Sequence, residues 1–64
     1  MCEASAYLIE DGGEKLVMEA VDTVEPEGEA LLLRNIFGEQ KLLRARIESL
    51  ELVDHKIYLR ATTA

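Results

Sequence analysis

The sequence predicts an all-β fold, a small single-domain β-barrel of about six or seven short strands that forms a homodimer. Turn-forming residues recur roughly every ten positions, which is the spacing of short strands in a sandwich or barrel. Closing the sheet into a barrel removes strand edges that would otherwise invite aggregation. The turn signals are Asp11-Gly12-Gly13, Pro26-Glu27-Gly28, Phe37-Gly38 and Asp54-His55-Lys56.

The length of 64 residues allows one domain, residues 1–64, with a thin core. A core of this size supplies no more than about 3–5 kcal/mol, so small domains usually gain further stability from disulfides, metals or partners. The single cysteine cannot form an internal disulfide. A bound metal, a second copy of the chain, or both are therefore expected.

The first half of the chain predicts a hairpin. Residues 3–9 alternate as a strand that places Ala4, Ala6 and Leu8 on one face. The Gly12–Gly13 pair allows positive φ and favours a tight hairpin turn. Residues 14–20 predict the return strand, with Leu16 and Met18 on one face. Residues 21–26 predict a further short strand after a bend.

The rest of the chain, apart from residues 40–50, is also predicted to form strands. Pro26 cannot donate a ladder hydrogen bond and should lie at a sheet edge or strand end. Three successive leucines at positions 31–33 predict a strand, residues 29–36, that is buried on both faces. Phe37 is a candidate core residue in the next turn. Residues 52–59 predict a closing hairpin.

Residues 40–50 fit two patterns. Leu43, Ile47 and Leu50 recur at helical spacing, whereas Leu43, Ala45 and Ile47 alternate as in a strand. Helix propensity favours the first pattern, and the rhythm of the surrounding turns favours the second. We predict a strand.

Several classes of protein are disfavoured. No apolar run approaches the ~20 residues of a membrane helix, and no signal-peptide pattern is present. A lone cysteine fits a reducing compartment, so we expect a cytoplasmic protein. The only histidine, His55, has no evident nucleophile partner, and no glycine run fits a phosphate loop. An enzyme is not expected.

The net charge of −6 is unevenly distributed. Residues 1–33 carry one lysine and nine acidic residues, a net −8, and residues 34–64 carry a net +2. A negative chain repels nucleic acid, whose phosphates dominate such binding. A local basic set keeps RNA binding as the alternative function, although a solvated strand face that balances nearby acids is the favoured explanation of this set. The set consists of Arg34, Lys41, Arg44 and Arg46.

Cys2 is the residue with the most distinctive chemistry. Cysteine is small, so the preceding Met1 is a good substrate for removal, which would leave an α-amine and a thiol on adjacent carbons. Together they can close a five-membered chelate on a divalent metal. Two copies of Cys2 brought together offer N₂S₂ donors, which suit square-planar Ni(II), with Cu(II) as a competitor. Alternatively, Cys2 is an incidental residue.

Other candidate ligands are weaker. His55 lies in the last predicted turn, where a solvated role is typical and an auxiliary ligand role requires the turn to lie near a chain start. Asp54 could orient it. Met18 is expected in the core. The acidic residues Glu3, Glu10, Asp11 and Glu14 attract cations in general, but acids beside a turn are common.

The order of several short segments resembles the CooT family over roughly residues 1–60. A neighbouring class, the hydrogenase-maturation chaperones that include HypC, also begins Met-Cys. That class usually carries a proline within the next few residues, and residues 3–6 here contain none. The resembling segments are Met1-Cys2, Ala6-Tyr7-Leu8, Val24-Glu25-Pro26-Glu27-Gly28, residues 35–41 (Asn-Ile-Phe-Gly-Glu-Gln-Lys) and residues 52–57 (Leu-Val-Asp-His-Lys-Ile).

The resemblance implies a homodimeric small β-barrel that binds nickel. In that family the cysteine after the initiator methionine binds the metal, and Cys2 occupies this position. The family context is nickel supply for carbon monoxide dehydrogenase maturation. Some members have also been labelled predicted RNA-binding proteins. The implied site is a Ni(II) ion held by Cys2 at the dimer interface, with a maturation partner as the client.

Overall fold

A computed structural model describes residues 3–62 as one six-stranded sheet curled into a half-barrel. The described residues contain no helix, so the predicted all-β class is confirmed. Within them, accordingly, no helix is long and apolar enough to cross a membrane. The strands are β1 (Ala4–Glu10), β2 (Gly13–Glu27), β3 (Ala30–Asn35), β4 (Gln40–Leu43), β5 (Ala45–Glu51) and β6 (Lys56–Ala61).

The strand order across the sheet is β4-β3-β2-β1-β6-β5. Neighbouring strands are antiparallel except β1 and β6, which pair in parallel. Only Arg44 separates β4 from β5 in the sequence, although these strands stand at opposite ends of the order. The sheet therefore has to curl, and β3 contacts β5 across the concave face.

A small aliphatic cluster on the concave face holds the sheet together. Leu33 and Leu59 are its fully buried large side chains. The aromatic residues lie outside this cluster, and Tyr7 stacks on Tyr58 across β1 and β6 with ring centroids 5.8 Å apart. The predicted face of β1 is confirmed, since Ala6 is buried and Ala4 and Leu8 pack against the cluster. The buried cluster consists of Ala6, Met18, Val21, Leu31, Leu33, Ala45 and Leu59.

The return strand differs from its predicted form in two ways. It is one strand, β2, bent at Ala20, which has a left-handed φ of 56°. The register also shifts, so that Leu16 pairs with Tyr7 while Met18 pairs with Ala6. Neighbouring residues on β1 point to opposite faces, so the prediction that Leu16 and Met18 share a face is wrong. Met18 is buried, as predicted, and Leu16 is exposed.

Other predictions can be compared directly. Pro26 is the penultimate residue of β2, at a strand end as predicted. Residues 40–50 are strands β4 and β5, which confirms the strand prediction. The prediction that β3 is buried on both faces is wrong, because Leu31 and Leu33 are buried while Leu32 is only half-buried. β3 follows the alternation of an ordinary half-covered strand.

The β3–β4 turn is organised by a buried asparagine. Asn35 Oδ1 accepts hydrogen bonds from the backbone N–H groups of Phe37, at 3.0 Å, and Glu39, at 2.9 Å. Its Nδ2 donates to Glu39 Oε1 at 2.6 Å. The turn holds Phe37 outward with 73% of its surface exposed, so Phe37 is not the core residue that the sequence suggested.

Candidate functional site

Cys2, the predicted metal-binding residue, lies outside the described residues. The described chain begins at Glu3 and enters β1 at Ala4. We call the end of the sheet that holds Glu3, Ala4 and Ser5 the chain-start end.

The β5–β6 turn is fastened to the chain-start end. The backbone N–H of Ser5 donates a 2.9 Å hydrogen bond to the carbonyl of His55, and Ser5 pairs with Lys56 in the parallel ladder. His55 has a left-handed φ of 57°, and its N–H donates to the carbonyl of Leu52 across the turn. The turn that carries the only histidine thus lies beside Ser5, which follows Cys2 by three positions in the sequence.

An apolar groove opens at the same end of the sheet. Its volume is about 570 Å³, and we call it the chain-start groove. Ile47 pairs with the buried Leu59, and Leu50 pairs with Ile57, so this wall continues the concave face beyond the closed part of the core. Its apolar lining is Ala4, Val24, Ile47, Leu50, Leu52 and Ile57, with His55, Glu51 and Lys56 also bordering it.

The charged side chains of β5 and β6 lie mainly on the outer face of these two strands. Lys56 Nζ is 5.7 Å from the centre of the Tyr7 ring, a cation–π distance. Arg60 Nε lies 3.1 Å from Glu48 Oε1. The hydrogen bond from Arg60, then its positive charge and that of Arg46, lower the pKa of the Glu48 carboxyl.

The described residues contain no group of three His, Cys, Asp or Glu side chains that could hold a metal ion. Glu3 lies at the chain-start end and is exposed. Glu10, Asp11 and Glu14 surround the opposite end of β1, roughly 20 Å away at about 3.3 Å per residue. Those three acids therefore lie at the end of the sheet away from Ala4 and Ser5.

The four basic residues of the RNA-binding alternative do not form one face. Arg34 pairs with Gln40 and Lys41 pairs with Leu33, so Arg34 and Lys41 point to opposite faces of the sheet. Arg34 also lies 3.7 Å from Glu25, and Lys41 Nζ donates to the Val17 carbonyl. Arg44 is the single residue between β4 and β5, and Arg46 is on β5. The sequence could not reveal this dispersal.

Comparison with known proteins gives a consistent result. Residues 1–60 match the family model described as "CO dehydrogenase accessory protein CooT". The chain is also similar to the crystal structure of a protein from Carboxydothermus hydrogenoformans that is described as a CooT. The two share 48% sequence identity and a TM-score of 0.90, over 97% of this chain and 100% of the other. No curated protein matches.

The match extends over all six strands except the last residue of β6, and it includes Cys2 and the β5–β6 turn. The predicted family resemblance is therefore confirmed. The TM-score of 0.90 shows that the two proteins share the fold of the whole chain. The chain belongs to the CooT family of CO dehydrogenase accessory proteins.

Proposed function

We propose that the chain binds Ni(II) through Cys2, with one ion shared by two copies of the chain. It acts in the cytoplasm as a nickel carrier or sensor for the maturation of a carbon monoxide dehydrogenase-type enzyme. It performs no catalysis of its own. The observation that carries this proposal is the family match, which spans Cys2 and describes an accessory protein of CO dehydrogenase.

The donor chemistry of Cys2 supports nickel as the cargo. Thiolate is a soft ligand, and a thiolate with an adjacent nitrogen forms a compact chelate. One such chelate fills two of the four positions of a square-planar ion. A second copy supplies the other two, so the shared site gives one ion per dimer. Because the metal displaces protons from the ligands, its affinity should rise with pH.

The chain-start end supports two further features of the proposal. Its groove offers an apolar wall beside Ala4, where a second copy could approach. His55 borders the groove, and its backbone carbonyl accepts a hydrogen bond from Ser5, which supports an auxiliary ligand role for its imidazole. In this proposal Cys2 is the essential ligand and His55 is auxiliary.

Nickel titration of the purified protein tests the proposal. Native mass spectrometry should show two chains and one Ni(II), and absorption spectra should show thiolate-to-metal charge transfer. The variant Cys2→Ala should lose the bound Ni(II) and the charge-transfer band. The variant His55→Ala should bind Ni(II) more weakly but keep the charge-transfer band. Glu10→Gln, at the opposite end of β1, is the matched control. A Cys2→Ala variant with wild-type nickel affinity would refute the proposal.

A further inference from the structure

The first half of β2 has a free edge. Residues 13–21 pair with β1 on one side, whereas β3 pairs with β2 only from Val21 onward. In the part of the chain that the structure describes, no strand pairs with residues 14–19 on the side away from β1. Backbone groups along a strand alternate between its two edges, so some of those in residues 14–19 face away from β1. An edge of this kind is a template for a further strand.

A groove of about 560 Å³ follows this edge, and we call it the β2-edge groove. Residues 16–19 of β2 form one wall, and the β3–β4 turn with the start of β4 forms the other. Lys41 of β4 donates a 3.3 Å hydrogen bond from its Nζ to the Val17 carbonyl. The Val17 carbonyl therefore points away from β1, where a lysine side chain takes the place of a strand partner. The groove has the volume of a typical ligand site, roughly 300–1,000 Å³.

Two large apolar side chains line the β2-edge groove and are exposed to solvent. Leu16 is 47% exposed, because the register shift on β2 turns it away from the face that holds Met18. Phe37 is 73% exposed, and its backbone N–H is bound by the buried Asn35 side chain. Aromatic residues are enriched in interfaces, and a side chain on a fixed turn loses less entropy on binding. Leu16 and Phe37 are therefore candidate anchors for an apolar partner residue.

The charges of the groove favour a basic partner. Its lining contains two acids, Glu19 and Glu39, against one base, Lys41. Neither acid forms a salt bridge within the residues that the structure describes. The whole chain has a net charge of −6, so nucleic acid or a second copy of this chain brings more negative charge to an acidic surface. A protein segment with lysine or arginine beside apolar residues has the complementary charge.

We propose that the β2-edge groove binds an extended basic segment of a partner protein, which adds as a strand to residues 14–19. Basic side chains of the segment face Glu19 and Glu39, and an apolar side chain packs against Leu16 and Phe37. In this mode of recognition, main-chain hydrogen bonds give affinity and the alternating side chains give specificity.

Lys41 occupies the edge when no segment is bound. Lysines on strand edges hinder unwanted strand pairing. The bond from Lys41 to the Val17 carbonyl is exposed, so water compensates for its loss. The segment therefore displaces the Lys41 side chain, and a backbone N–H of the segment donates to the Val17 carbonyl instead. Only a segment that makes further contacts in the groove gains enough to replace the lysine.

The binding of synthetic peptides to the full chain tests the proposal, measured by fluorescence anisotropy. A short peptide of alternating lysine and valine should bind, and more weakly at high salt. The same peptide with glutamate in place of lysine should not bind. A version with every backbone nitrogen methylated should also fail, because it cannot donate hydrogen bonds to β2. Hydrogen exchange should show that the lysine–valine peptide protects amides within residues 14–19.

Variants of the groove locate the binding surface. The double variant Leu16→Ser/Phe37→Ser should bind the lysine–valine peptide at least about 10-fold more weakly. The matched control Leu42→Ser, which is 62% exposed but does not line the groove, should bind it as wild type does. Lys41→Ala should bind it at least as tightly as wild type. Circular dichroism should be unchanged in these variants, since the replaced side chains are exposed.

Four outcomes would overturn the proposal. They are a lysine–valine peptide that does not bind wild type, a methylated peptide that binds equally well, a double variant that binds as wild type does, and a Lys41→Ala variant that loses binding. A double variant that lowers the mass of the peptide-free protein in sedimentation would also overturn it, by showing that a second copy fills the groove. Cys2→Ala should keep peptide binding, and the double variant should keep nickel binding, so this proposal and the proposed function can fail separately.

Discussion

The backbone N–H of Ser5 and the carbonyl of His55 are joined by a 2.9 Å hydrogen bond, although 50 residues separate them in the sequence. The bond belongs to the Ser5–Lys56 pair, the first pair of the parallel β1–β6 ladder, at the end where β1 begins. It places the only histidine, an apolar turn and the residues after Cys2 at one end of the sheet. The proposed auxiliary role of His55 in the nickel site depends on this placement.

Phe37 should contribute little to the stability of the protomer. It is 73% exposed, so Phe37→Ala should change the free energy of unfolding by less than about 0.5 kcal/mol, as surface substitutions usually do. Leu59 is fully buried, and Leu59→Ala should cost about 2–5 kcal/mol. Urea denaturation of both variants measures the contrast. Equal losses would show that Phe37 packs against the core.

Asn35 should be important for the β3–β4 turn. Asn35→Ala removes an acceptor shared by two backbone N–H groups, and burial without a partner costs about 1–3 kcal/mol. Glu39→Ala removes only the bond from Asn35 Nδ2 and leaves the two backbone bonds intact, so it should cost less. Denaturation curves and hydrogen exchange of the Phe37 and Glu39 amides measure both effects. An Asn35→Ala variant as stable as wild type would contradict this account.

Ala20→Gly should stabilise the protein. Ala20 has a φ of 56°, and the left-handed region costs a residue with a Cβ about 1–2 kcal/mol. Glycine relieves this strain, but the greater entropy of its unfolded chain costs about 0.4–1 kcal/mol of stability, so the expected net gain is between zero and about 1.6 kcal/mol. Ala6→Gly, at a buried strand position, should instead destabilise. Thermal melts of the two variants should shift in opposite directions.

Glu48 should make the free energy of unfolding depend on pH. The hydrogen bond and charge of Arg60 lower the pKa of Glu48 in the folded chain, so the ionised carboxylate favours folding. The contribution is present at neutral pH and disappears as the pH falls through the lowered pKa, below the ordinary range of a glutamate.

Glu48→Gln should therefore be less stable than wild type at neutral pH and equally stable in acid. High salt should reduce the difference at neutral pH, because the pair is solvent-exposed. Glu14→Gln, which removes an exposed acid without a salt bridge in the described part of the chain, is the matched control. A difference between Glu48→Gln and wild type that does not change with pH would contradict the assignment.

Several features of this protein could be predicted from local sequence patterns. Alternation placed Ala4, Ala6 and Leu8 on the core face, and Gly12 marked the first hairpin correctly. The turn rhythm decided residues 40–50 in favour of strands against a helical spacing that fits equally well. These patterns depend on residues that are close together in the sequence, so they can be recognised without the tertiary structure.

The faces of Leu16 and Met18 and the exposure of Phe37 could not be predicted in this way. The β-bulge between β1 and β2 turns Leu16 and Met18 to opposite faces. Its position depends on how β2 pairs with β1, which the sequence does not show. Phe37 is exposed because the buried Asn35 side chain closes the β3–β4 turn beneath it. The sequence alone does not show whether an asparagine that precedes Ile-Phe-Gly is buried.

The sequence by itself determined the all-β class and the family, and it predicts Cys2 as the metal-binding residue. Only the tertiary structure decided that the β5–β6 turn lies against the start of β1, and that Ile47, Leu50 and Leu52 form an apolar groove there. The physical reason is that β1 and β6 pair in parallel. That pairing joins segments about 50 residues apart, and its register depends on how the whole sheet curls to cover Leu33 and Leu59.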